Sequence, residues 1–293
     1  MRILVTGATG FVGRAFCEAA IARGHKVLGL CREVNARLPA GCQIARGSLE
    51  QFPWHDMGTF KPAVVLHSAW VATPGVYLTS PENDALVETS AALFRGLAAR
   101  GVTHLAGLGT CIEYAASETP LHETRSLPGP TFPYSRAKFA LFRRLQDLGT
   151  ELRLPWTWFR LFYPYGPGEH PSRISTHIIQ QLRAGKPVTL RTPNSFKDYV
   201  YITDLAHALC QGLEATICGP VNVGSGSGTS IRNLARTIAD LMIADPSLIR
   251  EAGQIAHDPT PSVIADTTLI NSTGWIPAVP LKTGLANLIS SLA

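Results

Sequence analysis

Met1-Arg-Ile-Leu-Val-Thr-Gly-Ala-Thr-Gly-Phe-Val-Gly13 opens the chain and decides its reading. The apolar run at 3–5 predicts a short buried strand. Phe11, Val12, Ala15, Phe16 and Ala19 recur at helical spacing behind it, so strand, turn and helix follow one another. Gly7, Gly10 and Gly13 fill the turn. Gly7 suits a tight turn, Gly10 lets a pyrophosphate approach the backbone, and Gly13 lets the helix lie close on the strand. The helix start then offers free N–H groups and a positive dipole end to phosphates. Thr9, Phe11 and Val12 complete the contacts expected of this turn. A glycine triplet alone also punctuates turns that hold no ligand. Here a second strand at 27–30 arrives at the distance a β-α-β unit needs.

Working outward, apolar strand patterns at 3–5, 27–30, 64–67 and 105–108 alternate with helical ones at 11–23 and 83–100. That alternation predicts a parallel sheet covered on both faces. Right-handed crossovers make it a doubly wound α/β Rossmann fold. The length of 293 residues fits one large domain or two interlocked ones. With 45% hydrophobic and 16% charged residues, a packed core is expected and global disorder is not. The net charge of +5 suits an anionic small molecule, while no dense Lys/Arg run points to nucleic acid. Cys17, Cys31, Cys42, Cys111, Cys210 and Cys218 form no C-x-x-C pair, so reduced thiols are expected, without a zinc site or disulfide framework. No apolar run approaches the ~18 residues of a membrane span, and no leader pattern precedes the first strand. A cytoplasmic location is the expectation.

Ligands of such sheets bind outside the strand C-termini. The second strand ends at Cys31-Arg32, where an acidic residue commonly holds the ribose hydroxyls of NAD. An arginine suits the 2′-phosphate of NADP instead, although Arg32 also reads as a solvated loop residue and Glu33 is within reach of a ribose. Ser48 and Leu49 are candidates for the adenine edge, or an ordinary loop. Ser68 and Ala69, small residues after the strand at 64–67, permit close cofactor approach. His67 reads as a hydrogen-bonded core histidine. Trp70, Pro74, Gly75 and Tyr77 lie in a loop suited to roofing a substrate. Thr110 supplies a hydroxyl at the next strand end. Tyr134 and Lys138, four residues apart, share one helix face. A tyrosine titrates near ~10, and a lysine ammonium one turn away is expected to lower that value.

Gly7-x-x-Gly10-x-x-Gly13, Thr110 and Tyr134-x-x-x-Lys138 together resemble the extended short-chain dehydrogenase/reductases, in particular the NAD(P)-dependent nucleotide-sugar epimerase/dehydratase branch. Further likenesses lie in Arg160-Leu-Phe-Tyr-Pro-Tyr-Gly-Pro-Gly168, Lys197-Asp-Tyr-Val-Tyr-Ile-Thr-Asp204, Val221-Asn-Val-Gly-Ser-Gly226 and Gly274-Trp-Ile-Pro277. The resemblance spans nearly the whole chain. It implies a dinucleotide-binding domain over 1–161, with segments returning near 198–218, and a smaller C-terminal α+β substrate domain over most of 162–293. In that domain a helix at 173–184 and a strand at 188–190 are expected to face the nucleotide.

By the same resemblance Tyr134 is the general acid/base, Lys138 holds the nicotinamide ribose and Thr110 orients the sugar oxygen. Phe162, Tyr163 and Pro164 line the nicotinamide pocket. Trp70, Cys111, Arg173 and Lys197 are the substrate-side candidates. Arg173 and Lys197 are offered to the diphosphate, though each also reads as a surface cation. Relatives commonly dimerise through the helices at 83–100 and 134–148, so a homodimer is expected. Departures from the family pattern narrow the activity. Cys111 and Ile112 stand where dehydratases carry an Asp-Glu pair, and Glu113 lies one position beyond it. Tyr163 replaces an asparagine, Lys197 an arginine and Ser48 an acidic residue. The leading expectation is an NADPH-dependent nucleotide-sugar 4-ketoreductase with Tyr134 as general acid. An NAD-dependent 4-epimerase using the same site is the alternative. A non-catalytic NADP-binding sensor is the alternative from another class.

Overall fold

The computed structural model describes residues 1–33, 35–253 and 258–293. Its first strand, β1 (Arg2–Thr6), buries Ile3, Leu4 and Val5 completely. A strand buried on both faces must sit in the middle of a sheet, and β1 does. The chain runs on through α1 (Phe11–Ala22), β2 (Lys26–Cys31), β3 (Cys42–Arg46), α2 (Trp54–Phe60), β4 (Val64–His67), α3 (Glu82–Ala98), β5 (His104–Thr110), α4 (Pro133–Leu152) and β6 (Trp156–Leu161). These strands pair in parallel in the order β6-β5-β4-β1-β2-β3. The order reverses between β1 and β4, which opens a crevice at their C-terminal ends.

Each face of the sheet carries its own apolar layer. Phe16, Cys17 and Ala20 of α1 cover one face. Met57 of α2, Leu93, Phe94 and Leu97 of α3, and Leu141 and Leu145 of α4 cover the other. This is the doubly wound arrangement that the alternating patterns predict.

Beyond β6 the chain builds a smaller unit. It contains β7 (Tyr163–Tyr165), α5 (Ile174–Arg183), β8 (Val188–Leu190) and β9 (Phe196–Tyr201). The chain then returns to the large sheet. Helix α6 (Ile202–Glu214) adds Leu205 and Leu209 to the layer of α1, and β10 (Gly219–Val223) pairs in parallel with β6 as the seventh strand. The segment that returns to the large sheet comprises α6 and β10. The smaller sheet centres on β9, flanked by β7, β11 (Gly228–Ser230) and β13 (Ser262–Val263), while β8 pairs with β12 (Ile249–Glu251). Leu234 and Ile238 of α7 (Ile231–Met242), Ile178 and Ile179 of α5, and Leu285 and Leu288 near the C-terminus pack into one apolar cluster with Tyr165 and Tyr201. Among the described residues no helix is long and apolar enough to cross a membrane.

Candidate functional site

The glycine turn lies at the crevice. Gly7 has φ +65°, and a Cβ there would lie 2.7 Å from the backbone nitrogen of Ala69. A Cβ at Gly13 would collide with the carbonyl of Gly7, so helix and strand approach as closely as backbone allows. Gly10 differs: a Cβ there would meet only the Gly7 carbonyl oxygen, at 3.3 Å, and the space before it is open. Gly10 is the extended residue ahead of α1, and no side chain caps that helix and no acid occupies its first turn. The first N–H groups of α1 thus face an open space with a positive dipole end behind them, which fits a phosphate-bearing cofactor. The half-buried Phe11 and Val12 and the exposed Thr9 belong to the same turn.

Thr6 ties the two strand ends beside the crevice together. Its hydroxyl accepts from the N–H groups of Ser68 (3.2 Å) and Ala69 (3.1 Å) and bonds His67 Nδ1 (2.8 Å). His67 Nε2 meets Ser90 Oγ at 2.9 Å. Burial, with a smaller push from Lys138, holds His67 down at about 3, so it is neutral core structure. At the end of β2, Cys31 is buried and Arg32 is exposed. Arg46 stands opposite Cys31 in the β2–β3 register, and its guanidinium bonds the carbonyl of Glu33. Ser48 uses its hydroxyl to accept from the Gln51 N–H at 3.0 Å, next to half-buried Leu49. Glu50 is held below the usual carboxylate range by its own N–H, the Ser48 hydroxyl and the charge of Arg32.

Lys138 of α4 reaches the end of β5, and Cys111 and Glu113 of the turn after Thr110 act on Tyr134. Thr110 starts a tight turn over Cys111–Glu113: its hydroxyl accepts from Ile112 N, and its N–H donates to Glu113 Oε1 at 2.9 Å. Glu113 is fully buried beneath the site, ion-paired to Arg160 Nε at 2.8 Å and bonded by Trp158 Nε1. Arg160 also donates to the Tyr114 hydroxyl, which in turn donates to Asn222. Glu113 is therefore bound into a structural network. Cys111 is buried beside it, and burial pushes its thiol up to about 12.

The Lys138 ammonium donates to the carbonyl of Leu108 at 2.9 Å and lies 3.9 Å from the centre of the Trp70 ring. It is 5.9 Å from the centre of the Tyr134 ring. Burial lowers Lys138 to about 7, against the pull of Glu113. The expected depression of the Tyr134 phenol is not found. Burial first, then Tyr77, Glu113 and Cys111, raise its value, and Arg173 opposes them. The physical reason is that the lysine is turned toward Leu108 and Trp70 while the ring sits in a dry setting. Tyr134 therefore holds its proton at neutral pH. Tyr77 packs edge-on against it with ring centres 4.8 Å apart, and Tyr134 N bonds the Leu78 carbonyl at 3.1 Å.

On the side of the smaller unit, Arg173 precedes α5, donates to the Pro164 carbonyl at 3.1 Å and places its guanidinium 6.0 Å from the Phe11 ring centre. It thus reaches across to the glycine turn. Lys197 does not offer a free charge. It pairs with Asp258 at 2.9 Å and also bonds Thr260. Although burial opposes it, the Ser195 hydroxyl, the Thr260 N–H and Lys197 hold Asp258 down at about 2. Phe162 is packed with Cys111, Tyr114 and Leu121, and half-buried Tyr163 packs against the same cluster with its ring centre 5.8 Å from the Lys197 ammonium. Thr6, Arg46 and Asn83 escaped the sequence reading. Arg46 has a signal there, an arginine at the end of the neighbouring strand, whereas Thr6 acts through tertiary contacts and Asn83 through the shape of the loop just before it.

Residues 3–224 match the model of the NAD dependent epimerase/dehydratase family. The chain is 27% identical to a UDP-glucose 4-epimerase of Mycolicibacterium smegmatis, over 99% of this chain and 97% of that one. It is 26% identical to a probable GDP-L-fucose synthase 1 of Oryza sativa subsp. japonica, over 97% and 89%. A crystal structure of the UDP-glucose 4-epimerase of Thermus thermophilus in complex with NAD superposes with a TM-score of 0.83 at 26% identity, covering 99% of this chain and 98% of that one.

Proposed function

Because the chain belongs to the NAD dependent epimerase/dehydratase family, we propose that it is an NADP(H)-dependent oxidoreductase acting on a nucleotide-activated sugar, and specifically a 4-ketoreductase. The observation that carries the ketoreductase reading is the Tyr134 phenol, buried edge-on against Tyr77 and kept protonated by that dry setting. Reduction of a carbonyl needs a proton donor at the oxygen as hydride reaches the carbon. Tyr134 supplies that proton, and Thr110 supplies a second hydrogen bond to the same oxygen. Lys138 offers its ammonium to the nicotinamide ribose. The nicotinamide, when bound, carries the hydride. Arg173 is the cation for the substrate diphosphate. Gly7, Gly10 and Gly13 hold the cofactor phosphates, and Arg32, with Arg46 beside it, supports the 2′-phosphate of NADP.

A second reading is supported by the relatives. An epimerase of Mycolicibacterium smegmatis matches along its length, and that of Thermus thermophilus is recorded with NAD. An NAD-dependent 4-epimerase would use the same three residues but retain its cofactor. The intact group of Thr110, Tyr134 and Lys138 argues against a non-catalytic sensor. A sensor would keep partner binding in Tyr134→Phe, whereas an enzyme loses turnover. The two readings within the enzyme class separate on which dinucleotide the protein retains and which it prefers.

Helices α3 and α4 pack side by side, linked by Arg95–Glu151 and Arg144–Glu88 pairs. We propose this layer as the face of a homodimer; a monomer mass at micromolar concentration would contradict it.

A further inference from the structure

Residues 70–83 form a compact device over the Tyr134–Lys138 pair. Trp70 lies with its ring over the Lys138 ammonium, and Tyr77 lies edge-on against the Tyr134 ring. One buried residue at the start of α3 holds both aromatics. Asn83, 1% exposed, accepts from Trp70 Nε1 at 2.8 Å and donates to the carbonyls of Tyr77 (2.8 Å) and Ser80 (3.0 Å). Both N–H donors of the amide and one lone pair of its oxygen are thus spent on this loop. The loop in turn accepts the Tyr134 N–H through Leu78 O.

We propose that Trp70 and Tyr77 clamp the reactive lysine and tyrosine one to one, with Asn83 as the positioning residue that sets both aromatics. This rests on the reading of Tyr134 and Lys138 as the reactive pair. The indole face, negative through its quadrupole, favours the charged form of Lys138 and fixes where the ammonium points. Besides Trp70, that ammonium faces the Leu108 carbonyl from β5, Glu113 from the turn after it, neutral His67 from β4 and the Tyr134 phenol on its own helix. Trp70 therefore acts on Lys138, and Asn83 acts on Lys138 only through Trp70.

The test reads the Lys138 titration directly, by NMR of the 13Cε signal in protein labelled with 13C-lysine, assigned against Lys138→Gln. Fluorinated tryptophans weaken the face of the indole with little change in volume. The expected result is a midpoint that starts at about 7 and falls stepwise from 5-fluoro- to 5,6,7-trifluoro-tryptophan, by about one pH unit in total. Fluorination should have no effect in Trp70→Leu and a smaller one in Asn83→Ala. A midpoint insensitive to fluorination, or a shift that persists in Trp70→Leu, overturns the clamp. NADPH and NADH titrations of the same unsubstituted protein test the parent reading separately. If neither dinucleotide binds, the functional reading fails while the NMR result still decides the clamp.

Discussion

The Lys138 ammonium sits 5.9 Å from the centre of the Tyr134 ring and is directed instead at the Leu108 carbonyl, 2.9 Å away. Tyrosine and lysine share a helix face, as their spacing requires, yet each is governed by its own surroundings. Tyr134 stays a proton donor. Tyr134→Phe should lower turnover by about 10²–10⁴-fold, the range for a lost general acid, and leave cofactor binding within a few-fold. Steady-state rates set beside dinucleotide titration check this; equal losses in both would contradict it.

Lys138 is held at about 7 by burial, well below the ~10.4 of an unfolded lysine. Between those values the unfolded chain binds one proton more than the folded one, so this group makes stability rise with pH across that window. Below it, the buried ammonium weighs against the fold. Lys138→Met should therefore raise the unfolding midpoint at pH 6 and flatten the slope of stability from about pH 7 to 10, while weakening cofactor binding. Urea unfolding at several pH values measures it, and an unchanged slope would refute the assignment.

Glu113 and Arg160 are both almost fully buried and paired at 2.8 Å. Glu113→Gln leaves the guanidinium without its counter-charge and should cost about 3–5 kcal/mol in denaturant unfolding. Loss below ~1 kcal/mol would mean that the network under the site is not structural.

Much of this architecture was legible in the residues. The strand at 64–67 falls where its apolar run places it, and that at 188–190 where the resemblance places it. Glycine turn, helix and second strand follow in the expected order because short local signals set each of them. What escaped depends on contacts distant in the chain. Nothing in the run 219–223 tells which sheet it joins, and it becomes the seventh strand of the large one. Lys197 reads as an available cation until Asp258, 61 residues on, is seen to hold it. That the Trp70 ring lies on Lys138 is likewise brought about only by folding. The predicted effect of Lys138 on Tyr134 failed for a similar reason, since helical spacing sets the face and not the direction in which an ammonium points.

The glycines separate fold from function. Gly13→Ala would drive a Cβ into the Gly7 carbonyl and should lower stability, whereas Gly10→Ala meets a single oxygen at 3.3 Å. Gly10→Ala should therefore fold with an unfolding temperature within a few degrees of the parent, yet lose most of its dinucleotide affinity. Thermal unfolding paired with cofactor titration distinguishes the two. Comparable destabilisation by both would contradict the assignment of Gly10 to the pyrophosphate.

The cofactor decides most directly between a reductase and an epimerase. The protein is denatured and any released dinucleotide identified by mass spectrometry, and fresh protein is titrated with NADPH and NADH. For a reductase no NAD is released, NADPH binds more tightly than NADH, and Arg32→Ala abolishes the difference. Tightly retained NAD with no preference for NADPH would contradict the reductase reading and make the chain a 4-epimerase.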